Sequence, residues 1–393
     1  MADVARNVRR VEPKIWHAGH VVTLEGILPG IVDAHVHYFH PTRSAWALQR
    51  FARLAQGPAR FAPAPVLRLA AKVGAVEDRR YRIDPSIMAK PYEPAQYTAD
   101  TATLARVAGV GITNIVAVES HWRPAKSPAE LMESSLTEVA YLESLPDGAA
   151  APSNGAIVAA ADPRVEGFGA HLDRLVATAE HLRGIRFKWA HHPDPAIFDW
   201  RHQSDTVASR DFLRGFEQIA RHNLAFVSFS YSHQLGYLDA LAREFPETTI
   251  AIEHLGVPVG VFGPAGVETG MTASARAEIL NLWRERMAMI ALRPNVVVKV
   301  SGVGLSVLGY GMGTAGSIGS RAVLADMIGP LLVHVVEHFG PDRVIFGSDS
   351  PVDRPNSSID MTVGAILDVL GGRGDYLLRQ LFAGNAQRVY RLG

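Results

Sequence analysis

The stretch GIVDAHVHYFHP, Gly30 to Pro41, decides how the chain is read. It begins as a short apolar, β-branched run of the kind that forms a buried strand. It then places histidines at 35, 37 and 40, which a core strand does not need for packing. Side chains two apart on a strand share a face, so His35 and His37 project together, with Asp33 one period earlier and His40 beyond the strand. Two imidazoles on one face at a strand end can grip one divalent cation. An isolated HxH is more often a pair of histidines satisfied by backbone carbonyls, so the rest of the chain must carry the choice.

Outward from that stretch, short apolar runs recur, most followed by a segment of helical period, the pattern of a parallel sheet covered by helices. Strands are predicted at 30–36, 112–119, 155–161, 184–189, 224–230, 248–254, 295–301 and 343–349. Helices are predicted at 95–109, 129–145, 168–182, 209–222 and 234–245. Eight strands with intervening helices predict an α/β fold, a TIM (β/α)₈ barrel. The excursion 39–97 is far longer than a βα turn. It is expected to cross the barrel mouth as a lid, with Tyr38, Phe39, Trp46, Phe51 and Phe61 in it or just before it. The glycine-rich segment after the seventh strand lacks a Walker lysine and a clear GxGxxG opening a helix, which gives a phosphate-loop reading little weight. No linker divides the chain, so residues 1–393 are read as one barrel domain.

Composition narrows the chemistry. The 393 residues are 48% hydrophobic and 20% charged, with 39 Lys plus Arg against 39 Asp plus Glu. That balance points to a small-molecule substrate and away from nucleic acid or an anionic membrane as partner. There is no cysteine, so thiolate nucleophiles, disulfides and cysteine-based metal sites are excluded. The N-terminus lacks an apolar signal core and no unbroken apolar run is long enough to span a bilayer, so the cytoplasm is the expected compartment. A homo-oligomer is compatible with all of this.

In a barrel of this kind residues converge at the C-terminal strand ends. The sixth strand delivers His254 and the eighth Asp349, so four ionisable side chains from strands one, six and eight can meet. Imidazoles with a carboxylate suit Zn²⁺, which brings the pKa of bound water to about 7. Asp349 is placed to bind the metal, to accept the water's proton, or both. The plainer alternative for Asp349 is a cap on the turn that follows it.

The motifs DAHVH (33–37), LRGIRF (182–187), HQLGYLDALAREFP (233–246), IEHLGVP (252–258), RPNVVVKVSGVG (293–304), PDRVIFGSDSPVD (341–353) and GNAQRVYRL (384–392) together resemble the amidohydrolase superfamily. The resemblance is closer to its amidohydrolase-related (amidohydrolase 2) branch of sugar-lactone and muconolactone hydrolases, the L-fuconolactonase and L-rhamnonolactonase type. It implies a metal-dependent hydrolase in which water attacks a lactone or ester carbonyl. His35, His37 and Asp349 would hold the metal, with His254 beside the water or the carbonyl oxygen. One divalent ion is implied, zinc favoured, while some lactonases of the superfamily work without metal.

Two departures matter. Many metal-binding relatives carry another histidine at the fifth strand end, where this chain has Phe229 and Ser230; His233 follows a few residues later and is read as a substrate contact. Some relatives carry a modified lysine on the fourth strand, where this chain has Arg186 and Lys188 on one face. These two are read as cations holding substrate or a developing oxyanion. The nearly equal alternative is that they form structural ion pairs with Glu119 or Asp162. Glu119 is otherwise an extra ligand or base. His191, His192 and His121 lie in loops near the mouth and are weaker candidates, and His171, outside the predicted strand ends, is expected to be solvent-exposed or to pack on a helix. The remaining readings are a metal-dependent decarboxylase of the same superfamily and a non-catalytic ligand-binding barrel.

Overall fold

The computed structural model describes residues 22–40, 87, 90–120, 127–146, 151–200, 203–310 and 318–392. Eight parallel strands run in sequence order: β1 Ile31–Val36, β2 Ile112–Val118, β3 Ser153–Ala160, β4 Leu182–Lys188, β5 Ala225–Phe229, β6 Ile250–Ile252, β7 Val296–Val300 and β8 Val344–Phe346. Each pairs in parallel with the next. The ring is brought nearly to closure where β1 meets the end of β8. There His37 N–H donates to the Ser350 carbonyl at 2.8 Å and Asp349 N–H to the His35 carbonyl at 3.0 Å. The arrangement is a TIM (β/α)₈ barrel.

One carboxylate stitches that seam. Asp33 Oδ1 accepts the backbone N–H of Ser348 at 2.8 Å and of His35 at 3.1 Å, and Tyr97 donates its hydroxyl to Oδ2 at 2.7 Å. Asp33 therefore serves the seam rather than a ligand set. Burial raises its pKa, against the lowering effect of these donors.

The outer helices are α1 Pro94–Thr101, α2 Leu104–Ala108, α3 Pro128–Glu143, α4 Phe168–Thr178, α5 Arg210–Arg221, α6 Leu235–Glu244, α7 Ala273–Ile290, α8 Arg321–Phe339 and α9 Ile359–Leu370, followed by α10 Asp375–Arg379 and α11 Asn385–Tyr390. Hydroxyls start five of them: Ser127, Ser209, Thr272, Ser320 and Ser358 each accept an otherwise orphaned first-turn N–H. The helix expected over 95–109 is two helices, α1 and α2. Thr98 and Thr101 donate their hydroxyls to the carbonyls of Pro94 and Tyr97, a competition with the helical ladder that favours a break. By length and composition α8 could cross a membrane; here it packs between α7 and α9 on the barrel wall.

Most of the excursion 39–97, including Trp46, Phe51 and Phe61, lies outside the described residues, as do His121 and 311–317. Of its described ends, Phe39 and Tyr92 exchange both backbone hydrogen bonds, at 2.8 and 2.9 Å.

Candidate active site

His35 and His37 lie at the end of β1 with their Nε2 atoms 3.1 Å apart. Asp349 Oδ1, from the segment after β8, is 3.4 Å from His35 Nε2 and 3.3 Å from His37 Nε2. His254, just beyond β6, brings its Nε2 to 4.0 Å from the same oxygen. All four side chains are buried. The strand-end positions thus converge as the barrel geometry requires.

His37 Nδ1 lies 3.1 Å from the Val118 carbonyl, which can only accept, so Nδ1 carries a proton. His35 Nδ1 lies 3.3 Å from Glu253 Oε1, and neither atom makes a hydrogen bond. Burial holds the His35 pKa well below the ordinary value, helped by Lys299 and His254, so the ring is neutral. The two Nε2 atoms and Asp349 Oδ1 thus converge on one point.

A divalent cation would fit at that point. Donors about 2.1 Å from a tetrahedral ion leave edges of about 3.4 Å between them, and the observed edges are 3.1, 3.3 and 3.4 Å. Asp349 Oδ2 is buried without a hydrogen-bond partner. Burial pushes the Asp349 pKa up, but His254, His37 and Arg186 outweigh it, and the group stays ionised below its usual value. His35, His254 and Asp349 also form a compact group of potential ligands. Two or three imidazoles with one carboxylate fit a divalent ion such as zinc.

The backbone spends strain on this arrangement. His254 and Asp349 have φ of 53° and 55°, and Leu255 and Val257 follow at 57° and 41°. Such values cost about 1–3 kcal/mol each for residues with a Cβ and concentrate at functional sites. Two glycines make room: a Cβ on Gly302 would sit 2.4 Å from His254 Nδ1, and one on Gly347 would sit 2.8 Å from the His35 Cβ. Ser301 Oγ holds His254 Nδ1 at 3.0 Å.

Around the cluster lies a ladder of buried charges. Arg186 donates from Nη1 to Glu119 at 2.9 Å, and from Nε and Nη2 to Glu253 Oε2 at 2.8 Å. Burial lowers the Arg186 pKa, but Glu253 and Glu119 raise it above the ordinary value. Lys188 donates to Glu119 Oε1 at 2.5 Å. Burial draws its pKa down, against Glu119. Arg186 and Lys188 therefore share the face read from the sequence, with Glu119 as common partner, while Asp162 pairs with Arg164 at 2.8 Å instead. Lys299, at 0% exposure, donates to the Ala34 carbonyl at 3.0 Å and stands 4.0 Å from Glu253 Oε1.

Glu253 and Lys299 were not singled out from sequence. Strict alternation along β6 would point Glu253 away from the side of His254. The left-handed turn at His254 breaks that period, so both reach the interior. His233 packs edge-on against His192, ring centroids 5.3 Å apart, and near Tyr231 at 6.4 Å. Its Nε2 is buried without a partner, and burial lowers its pKa to about 4. His191 Nδ1 pairs with Asp199 at 3.0 Å.

Known proteins bear on this geometry. Residues 32–392 match the family model described as Amidohydrolase (Amidohydro_2). Among curated relatives, the uncharacterized protein y4mH of Sinorhizobium fredii is 29% identical over 60% of this chain and 69% of its own length. An L-fucono-1,5-lactonase of Burkholderia multivorans is 26% identical over 54% of this chain, which spans 63% of that lactonase. Among solved structures, an amidohydrolase of Burkholderia multivorans with bound HEPES superposes with a TM-score of 0.62 at 21% identity, covering 93% of this chain and all of that one. A second crystal form of it, with bound zinc, gives 0.59 at 21% over the same shares. A 2,6-dihydroxybenzoate decarboxylase shares the fold at a TM-score of 0.52 and 12% identity, over 93% of this chain and all of its own. With nearly the whole barrel covered by the family model, the chain belongs to the amidohydrolase family.

Proposed function

We propose that the protein is a hydrolase that opens a lactone, or cleaves a related ester, with water. The observation that carries the reading is the convergence of His35 Nε2, His37 Nε2 and Asp349 Oδ1 at 3.1–3.4 Å. The lactonase relative supports the substrate type.

A divalent ion held by His35, His37 and Asp349 would supply Lewis acidity and bring the ionisation of water toward neutral pH. The chain's own groups supply the rest. The Val118 carbonyl holds the His37 ring through Nδ1, and Glu253 lies beside His35 Nδ1. Asp349 Oδ2 accepts the proton of the attacking water and returns it to the ring oxygen when the acyl C–O bond breaks. His254, steadied by Ser301, faces the carbonyl from the opposite side with Nε2. The Arg186–Glu119–Lys188 ladder keeps buried charge balanced beside the site, and Lys188 is the residue assigned to substrate.

A pH-indicator screen over lactones and esters, coupled to elemental analysis of protein purified without added metal, tests the proposal. Proton release on a lactone with about one equivalent of metal supports it. Carbon dioxide release from aromatic acids without lactone opening would replace it with decarboxylation. Lys188→Ala with unchanged turnover would remove that residue from the substrate site.

A further inference from the structure

His254 and Asp349 stand beyond β6 and β8, and β7 runs between those strands. The residues that follow β7 set the place of His254: Ser301 holds its Nδ1, and Gly302, at a φ of +62°, leaves the ring room. Gly302 opens a tight turn, which the Leu305 N–H closes by donating to the Gly302 carbonyl at 3.2 Å. Gly304 is at the corner of that turn.

Both hydrogen-bonding groups of the Gly304 backbone are taken by side chains from the segment after Asp349. Asp353 Oδ2 accepts the Gly304 N–H at 2.8 Å, and Asn356 Nδ2 donates to the Gly304 carbonyl at 2.7 Å. The other end of this clamp is fixed on Asp349, whose carbonyl accepts the N–H of Val352 at 2.7 Å and of Asp353 at 3.2 Å. The Asp353 carbonyl in turn accepts the Asn356 N–H at 3.0 Å. Asp353 and Asn356 are 2% and 5% exposed, so water does not compete for these contacts. The approach is close enough to require glycine: a Cβ on Gly304 would sit 2.9 Å from the Asp353 carbonyl oxygen and 3.0 Å from its Cβ. Loops at this face of a barrel are ordinarily its mobile parts. Here, removing the Asp353 carboxyl would leave the Gly304 N–H buried and unpaired, and the turn would have to shift to find another acceptor.

We infer that Asp353 and Asn356 are positioning residues for the reaction: through Gly304 they lock the turn after β7, and His254 with it, to the segment that carries Asp349. They act through His254 and not on the substrate. The inference rests on the hydrolase reading for its kinetic consequence, while the place of the His254 ring is tested apart from it.

The wild type, Asp353→Ala, Asp353→Asn and Asn356→Ala are compared on whichever of dihydrocoumarin and D-glucono-1,5-lactone the wild type opens faster. NMR spectra of the same proteins, carbon-labelled at histidine Cε1, run alongside; the His254 signal is the one lost in His254→Asn. Asparagine presents the same oxygen to the Gly304 N–H, whereas alanine presents none. Asp353→Ala and Asn356→Ala should each lower kcat at least tenfold with KM within threefold, and should displace the His254 signal. Asp353→Asn should stay within threefold of the wild type in kcat and leave the signal in place. Val335→Ala, a cavity substitution in α8, reports general loosening and should not move the signal. An unmoved His254 signal in both alanine variants, a moved one with unchanged kcat, a loss carried by KM, or Asp353→Asn no better than Asp353→Ala overturns the inference while leaving lactone hydrolysis standing. If neither lactone is opened, the hydrolase reading fails and the signal alone decides. A signal moved by Asp353→Ala and kept by Asp353→Asn supports the clamp; any other pattern overturns it. If Asp353→Ala does not fold, Asn356→Ala carries the same comparison.

Discussion

His35 Nδ1 lies 3.3 Å from Glu253 Oε1, with both side chains at 0% exposure, and the other oxygen of Glu253 holds Arg186. One buried carboxylate therefore stands beside a β1 histidine and anchors the cation of β4. Partners of this kind behind a ligand histidine typically contribute 10–100-fold to metal affinity.

Glu253→Gln is accordingly expected to weaken zinc binding by about 10–100-fold, measured by equilibrium dialysis against a chelator-buffered zinc series. Glu253→Ala should also destabilise the fold by about 3–5 kcal/mol, because Arg186 loses a buried partner. Wild-type zinc affinity in Glu253→Gln would show that Glu253 does not orient His35.

His35→Ala and Asp349→Asn should each lower lactone turnover by at least about 10²–10⁴-fold, the span assigned to a positioned acid–base group alone. Prolonged chelation of the wild type should do the same, and added zinc should restore it. Retained turnover in both variants would sink the proposed mechanism.

Gly302→Ala puts a methyl group 2.4 Å from His254 Nδ1 at a φ of +62°. The ring must move, so kcat should fall more than KM rises, with a stability loss of about 1–3 kcal/mol. Steady-state kinetics and urea denaturation read the two effects separately, and unchanged kcat would place His254 outside the reaction.

His171, on α4, has both ring nitrogens buried without a hydrogen-bond partner, and burial, helped by Arg174, lowers its pKa to about 4. In the unfolded chain the group titrates near 6.5. Between those values the unfolded state binds a proton that the folded state refuses. The folded state is thus fully favoured above about pH 6.5 and loses stability as pH falls toward 4. His171→Leu should lose less melting temperature between pH 7.5 and pH 5 than the wild type does. Equal losses would assign the acid sensitivity elsewhere.

Much of the barrel was legible because apolar runs and helical periods alternate, and the histidines of β1 fall where a period-two face predicts. The ends of β6 and β8 were not. The readings 248–254 and 343–349 shrink to Ile250–Ile252 and Val344–Phe346, since the residues that carry the chemistry, His254 and Asp349, are left-handed and outside strand geometry. Glu253 was missed for the same reason. The partner of Arg186 was a choice between Glu119 and Asp162, which spacing cannot make; Asp162 is taken by Arg164, two positions on.

The seam held by Asp33 has a consequence for how the molecule comes together. Asp33 and Ser348 are 315 positions apart, so the last edge of the barrel closes only after nearly all of the chain has been made and ordered. His35 and Asp349 flank that contact. An intermediate lacking the seam lacks the ligand set as well, and any ion held there acts as a clasp between the two ends of the fold, closing a very long loop. Loading should therefore slow the opening of the barrel far more than it speeds its formation.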